Sequence, residues 1–227
     1  MPKATIQRKA FASSGIVPLG VFVAVHLLTT ASALAGGPRF SEVFLHHTWM
    51  TVAIAVLVLV PLGFHGVYGA YRAVARRNEA NLPSWRPRIR RVAALGTLAF
   101  VAFHLIEVPA PVWSGGMGEG ALFDVLSAHL SSTWHGVPFV AIVYLAGVAA
   151  TLTHLALELW VYFPATGIVL AAGAQRALAW ALVAGASLLF LVAGNTIVFF
   201  ATGAHLLGPS SAPFVPAGPP VPGCPRQ

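Results

Sequence analysis

The sequence predicts an all-α integral membrane protein, a bundle of five transmembrane helices with its N-terminus in the cytoplasm and its C-terminus outside. Composition is the first reason. Of 227 residues, 57% are AVILMFWYC and 8% are charged, whereas a soluble domain carries roughly 25% charged residues. The second reason is length: five apolar stretches, about 13–35, 48–71, 92–112, 136–162 and 177–203, can each cross a hydrocarbon core ~30 Å thick at ~1.5 Å per residue. The third is the sorting of charge. Lys3, Arg8 and Lys9 precede the first stretch, Arg72, Arg76, Arg77, Arg86, Arg88, Arg90 and Arg91 lie between the second and third, and Arg176 precedes the fifth. Only Arg39 and Arg226 fall on the other side. Basic residues collect in cytoplasmic loops, which sets the orientation in a cell's inner, cytoplasmic membrane. The net charge of +7 therefore reads as topology, not as a nucleic-acid surface, which would interleave bases with aromatics.

The first stretch has the outline of a signal sequence, with basic residues, an apolar run and a small-residue end at Ala31-Ser32-Ala33. Its apolar run exceeds the ~7–15 residues of a signal core, and it carries His26, so it reads as a retained helix. In the second stretch Pro61 is expected to kink the helix just before His65. The basic loop 72–91 reads as an orientation signal that also offers a docking surface to a cytoplasmic partner or to anionic lipid. Between the third and fourth stretches the outer loop holds Gly115, Gly116, Gly118, Gly120, Glu119 and Asp124. Within that loop, Leu122 to Leu130 forms a short interfacial helix. Residues 1–205 form one membrane domain. The segment 206–227 reads as an extended or disordered tail, because seven of the 19 residues from Pro209 onward are proline.

A single cysteine, Cys224, excludes an internal disulfide, a thiolate iron–sulfur cluster and a C-x-x-C-H haem attachment. Any redox cofactor is held by nitrogen or oxygen. Nine histidines are present, and four of them, His26, His65, His104 and His154, lie inside the first four apolar stretches, one in each. A lone imidazole in hydrocarbon is explained by a helix-to-helix hydrogen bond, but four on four helices point to a site. Counted from the cytoplasmic helix ends at 1.5 Å per residue, His26 and His104 lie ~20 and ~18 Å deep, His65 and His154 ~9 and ~12 Å. Two histidine pairs at two levels match bis-histidine ligation of two planar haems, with His26 and His104 as iron ligands of an outer haem b and His65 and His154 of an inner one. Zinc would need further ligands at each level. Gly63, Gly66 and Gly69 around His65, and Ala150 and Thr151 before His154, leave room for a porphyrin, though small residues also serve helix packing.

His46, His47, His129 and His135 fall near the outer surface and read first as surface residues; His205 follows the last helix. Two acids share a helix face with a ligand: Glu107 lies three residues after His104 and Glu158 four after His154. Glu158 reads more readily as an interfacial acid. Glu107, near the outer end where a quinone must exchange protons, is the better candidate for proton handling, with His129 or His135 close by.

The segments Gly15-Ile16-Val17-Pro18-Leu19-Gly20-Val21-Phe22 leading to His26, Phe64-His65-Gly66-Val67-Tyr68-Gly69, Phe103-His104-Leu105-Ile106-Glu107, and Thr153-His154 followed by Leu159-Trp160 resemble the dihaem cytochrome b subunit, the five-helix membrane anchor, of the succinate dehydrogenase and fumarate reductase family. The resemblance covers about residues 8–200. It implies the same pairing, His26 with His104 and His65 with His154. It also implies partners: an iron–sulfur subunit and a flavoprotein on the cytoplasmic side, membrane lipid, and a quinone, expected to be menaquinone, as exchangeable substrate. The anchor itself has no dicarboxylate site. The chain departs from the pattern at Phe11 and Ala12, where related chains often carry a histidine and a serine, and at Leu152, where some similar fumarate reductases carry a glutamate. Two other classes stay open, a self-contained transmembrane dihaem reductase and a transporter or sensor whose histidines relay protons without haem.

Overall fold

The basic N-terminal run and the apolar residues behind it fold as one helix, α1 (Lys3–Thr30), which tightens into a 3-10 turn over Ala31–Ala35. Gly36, with φ +99, then reverses the chain, a backbone conformation open to glycine, and its carbonyl accepts the Phe40 N–H in α2 (Gly37–Phe44). The computed structural model describes residues 3–44, 54–75, 85–108 and 121–207. His46 and His47, the centre of the basic loop with Arg76 and Arg77, the glycine-rich stretch with Glu119, and 208–227 of the proline-rich tail lie outside the described residues.

The expected distortion at Pro61 takes the form of a π-helical turn, Ala55–Leu59, leading into α3 (Val60–Ala75). Proline has no N–H for the carbonyl four residues back and its ring crowds that carbonyl, so a wider turn relieves the contact. The third span is displaced from its expected position. Helix α4 runs Trp85–Glu107, not 92–112, so Arg88, Arg90 and Arg91 belong to the helix and not to the loop before it. The reason is local: Pro87 sits in the first turn, where its fixed φ suits a helix and its missing N–H costs nothing, and arginine is a good helix former. The outer-loop helix appears as α5 (Ala121–Leu130), close to its expected bounds, followed by α6 (Phe139–Ala165) and α7 (Ala172–Thr202).

Among the described residues the chain is helical apart from turns and one isolated bridge, Trp134 with Val137. Three helices are long and apolar enough to cross a membrane, Pro87–Glu107 within α4, and α6 and α7 entire; the apolar helical segments Leu19–Ala35 and Val56–Tyr71 are shorter. Where five spans are expected, the described residues thus give three clear ones and two shorter apolar helices, and residues 48–53 of the second stretch lie outside the described residues.

The chain divides into two compact units. Unit 1 comprises Met1–His26, His46–Ala99 and Ala149–Phe190; unit 2 comprises Leu27–Leu45, Phe100–Val148 and Leu191–Gln227. In unit 1 small residues set the helix spacing: a Cβ on Gly96 of α4 would stand 3.1 Å from the Ala150 Cβ of α6, the close approach that glycine permits between membrane helices. Unit 2 is held by an aromatic cluster in which Phe40, Phe123 and Phe200 from α2, α5 and α7 meet pairwise at 5.9, 5.7 and 5.3 Å between ring centres. In the same unit Asn195 Oδ1 accepts the Leu206 and Leu207 N–H groups at 2.7 and 3.3 Å, so the first two residues of the expected tail are tied to α7.

Candidate functional site

In unit 1 the structure brings His65 of α3 and His154 of α6 together, with ring centres 6.3 Å apart and planes tilted by 55°. Both rings are half-buried. Glycine makes the space: a Cβ on Gly15 of α1 would overlap the His65 ring. The Nδ1 atom of His154 is buried with no hydrogen-bond partner among the described residues, a costly state for a polar nitrogen in an apolar setting. One turn beyond His154, Glu158 is gripped by Arg90 of α4: Nε donates to Oε1 at 3.1 Å, and Nη2 donates to Oε1 and Oε2 at 2.7 and 2.9 Å. Glu158 is thus a structural acid, as its sequence position suggested. Leu152, in the place of the glutamate of some similar chains, is buried and apolar. On α1, the His26 ring stacks on Phe22 one turn earlier, 5.2 Å between centres.

The spacing of His65 and His154 can be set against a shared iron. An imidazole nitrogen lies about 1.1 Å from its ring centre and binds a first-row metal at ~2.0–2.1 Å, so two rings on one metal have centres roughly 6.2–6.4 Å apart. The observed 6.3 Å fits. Among the described residues no three His, Cys, Asp or Glu side chains gather into a metal-ion site, so an iron held between these two rings draws its remaining ligands from elsewhere, as the four porphyrin nitrogens of haem provide.

Unit 2 holds His104, Glu107 and His129. His104 of α4 stacks on Phe100 one turn before it, at 5.9 Å and 25°, and its Nδ1 lies 3.3 Å from the Tyr144 hydroxyl of α6. Three residues on, Glu107 Oε1 is 3.2 Å from His129 Nε2 on α5, while Glu107 Oε2 is buried without a partner among the described residues. The carboxyl side chain is 22% exposed and the imidazole 45%, so the pair reaches from an enclosed acid to a wetted base. His135 lies elsewhere, exposed in a two-residue turn with φ +50, its ring against Trp134. The following Gly136 also has positive φ, and this tight reversal between Trp134 and Val137 gives His135 a turn role. His205 packs on Phe199, with ring centres 4.8 Å apart.

Two functional neighbours escaped the sequence reading. The Arg90–Glu158 pair had a usable signal, since a base and an acid lie within one turn of the cytoplasmic ends expected for the third and fourth stretches. Tyr144 had none, because an aromatic residue in an apolar run reads as packing until its hydroxyl is seen to face a histidine.

No protein-family profile matches the chain, and no solved structure matches it. The chain is 28% identical over 176 residues, 74% of its own length and 83% of the relative's, to the succinate dehydrogenase cytochrome b558 subunit of Bacillus subtilis (strain 168). An alignment of that extent runs through most of the helical chain and agrees with the resemblance carried by the four histidine segments. The chain is therefore similar over most of its length to a succinate dehydrogenase cytochrome b subunit, the family that its four histidine segments resemble.

Proposed function

We propose that this chain is the membrane-anchor cytochrome b subunit of a succinate:quinone oxidoreductase, standing between a cytoplasmic iron–sulfur and flavoprotein pair and a membrane quinone and holding two bis-histidine haems b. The observation that carries the reading is the 6.3 Å approach of His65 and His154, two imidazoles on separate helices whose ring centres are as far apart as those of two rings sharing one iron would be. The second pair, His26 and His104, rests on equal depth in the sequence and on the family resemblance. When bound, haem supplies one-electron chemistry at a potential set by its surroundings. The protein's residues supply the rest: His65 and His154 bind and orient, Arg90 neutralises the nearby Glu158, and Glu107 with His129 holds a proton within reach of a quinone, menaquinone by family resemblance. The charge sorting supports five spans with both the N-terminus and the basic loop in the cytoplasm.

A pyridine haemochrome assay on the purified complex, with its co-purifying proteins identified, tests this reading. Two protohaems per chain, both low-spin, together with a flavoprotein and an iron–sulfur subunit, are expected. One haem per chain or a high-spin spectrum would break the two-pair assignment. Two haems with no partner would move the chain to the self-contained reductases, and absence of haem to the proton-relay class.

A further inference from the structure

In unit 2 the Tyr144 hydroxyl faces His104, and its setting is built. The side chain is 8% exposed. Phe100 and Phe103 of α4 meet its ring edge-on, 5.4 and 6.0 Å between centres, and His104 does so at 5.7 Å and 83°. Gly147, one turn along α6, completes the enclosure, since a Cβ there would overlap the Phe100 ring that stacks on His104. Three aromatic rings thus leave the Tyr144 hydroxyl little choice of position, and that position is 3.3 Å from His104 Nδ1.

We propose that Tyr144 is a positioning residue for His104, whose hydroxyl oxygen accepts the Nδ1–H and so fixes Nε2 as the nitrogen that faces iron. The inference rests on the reading of His104 as an axial ligand. A neutral imidazole carries one ring proton. With Nε2 on a metal the proton is on Nδ1, so the bond runs from histidine to tyrosine; the reverse bond would put the proton on Nε2 and close the ligand position. An acceptor at Nδ1 orients the ring and makes it a more electron-rich ligand, which favours the ferric state. No bond is made or broken in this role. Its consequence is a lower potential for the haem that His104 ligates.

The test is redox potentiometry with low-temperature paramagnetic resonance on the purified complex carrying Tyr144→Phe, beside Phe103→Leu, which loosens the same enclosure without touching the hydroxyl. Tyr144→Phe is expected to keep both haems, raise one of the two midpoint potentials, move the low-field signal of that haem, and leave the other haem as it was. Loss of that one haem in Tyr144→Phe, with both kept in Phe103→Leu, supports the role as well. Unchanged potentials in a fully loaded Tyr144→Phe complex overturn the proposal, and so does an equal change in both variants, which would reduce Tyr144 to packing. His104→Leu separates this inference from its premise. If that variant keeps both haem signals, the ligand assignment itself has failed; if it loses one whose potential Tyr144→Phe does not move, only the role of Tyr144 has.

Discussion

Units 1 and 2 solve the same local problem in opposite ways. Each has an intramembrane histidine followed within one turn by a glutamate, His154 with Glu158 and His104 with Glu107. In sequence the two look alike. In unit 1 the carboxylate meets the Arg90 guanidinium through three hydrogen bonds, a bidentate match that holds the acid in place. In unit 2 the carboxylate meets an imidazole, and its second oxygen is buried without a partner among the described residues. An arginine fork only donates hydrogen bonds, whereas an imidazole can donate or accept one. The lesson is that spacing places an acid one turn from a histidine, but the residue across the helix interface decides what that acid is bonded to.

The most forceful way to break the comparison is to remove ligands. His65→Leu and His154→Leu are each expected to abolish the same haem component, about half of the total absorbance if two haems are bound, and the double variant should lose little more, because residues acting as one unit are not additive. His26→Leu and His104→Leu should abolish the other component together. Difference spectra of the four single variants decide it. If His26→Leu and His65→Leu delete one and the same signal, the assignment of pairs is wrong.

The two acids sharpen the contrast at the next level. Glu107→Gln, and to a lesser degree His129→Asn, should lower quinone-linked turnover by about ten- to a hundredfold, the lower part of the range for loss of a positioned proton donor or acceptor, with haem content retained. Glu158→Gln should cost turnover far less while weakening the protein. Steady-state quinone reduction with an artificial donor measures both. An inactive Glu158→Gln beside a fully active Glu107→Gln would reverse the two roles and move the quinone site into unit 1.

How far the sequence carried this reading depends on range. The helical class, the α5 helix over 121–130 and the distortion at Pro61 were legible because hydropathy, length and proline are local properties. The approach of His65 and His154 was legible as well, since counting residues along two helices yields a shared depth. Not legible were the polar partners chosen across helices: that Arg90 leaves the loop to grip Glu158, that Glu107 meets His129 while His135 serves a turn, and that Tyr144 faces His104. The early start of α4 was missed for a different reason. Four arginines among the first seven residues of the helix look like loop to a hydropathy window, although arginine is no obstacle to a helix.

Glycines give each unit its own point of attack. Gly15→Ala drives a methyl into the His65 ring and Gly147→Ala drives one into Phe100, overpacking that costs about 1–3 kcal/mol. Gly15→Ala should therefore make the His65/His154 haem component the first to be lost on heating, and Gly147→Ala the component of His104. Thermal bleaching followed at the two haem bands tests it. Loss of both bands in parallel in both variants would show that the pairs are not separately supported.

The smallest effect expected is also the cleanest measure of what unit 1 has and unit 2 lacks. Arg90 and Glu158 side chains are 42% and 26% exposed, between a surface pair worth roughly 0–1 kcal/mol and a buried one whose single removal costs about 3–5 kcal/mol. The fork geometry favours the pair, while partial exposure screens it. Arg90→Ala and Glu158→Ala should each destabilise by about 1–2 kcal/mol, and the double variant by clearly less than their sum, giving a coupling of about 1 kcal/mol. Glu107→Ala with His129→Ala should show a smaller coupling, because that pair meets through one contact at 3.2 Å where Arg90 makes three. Both cycles can be read from the midpoint of denaturant-induced haem loss in detergent. Equal couplings would mean that the single His129 contact holds Glu107 as firmly as the Arg90 fork holds Glu158.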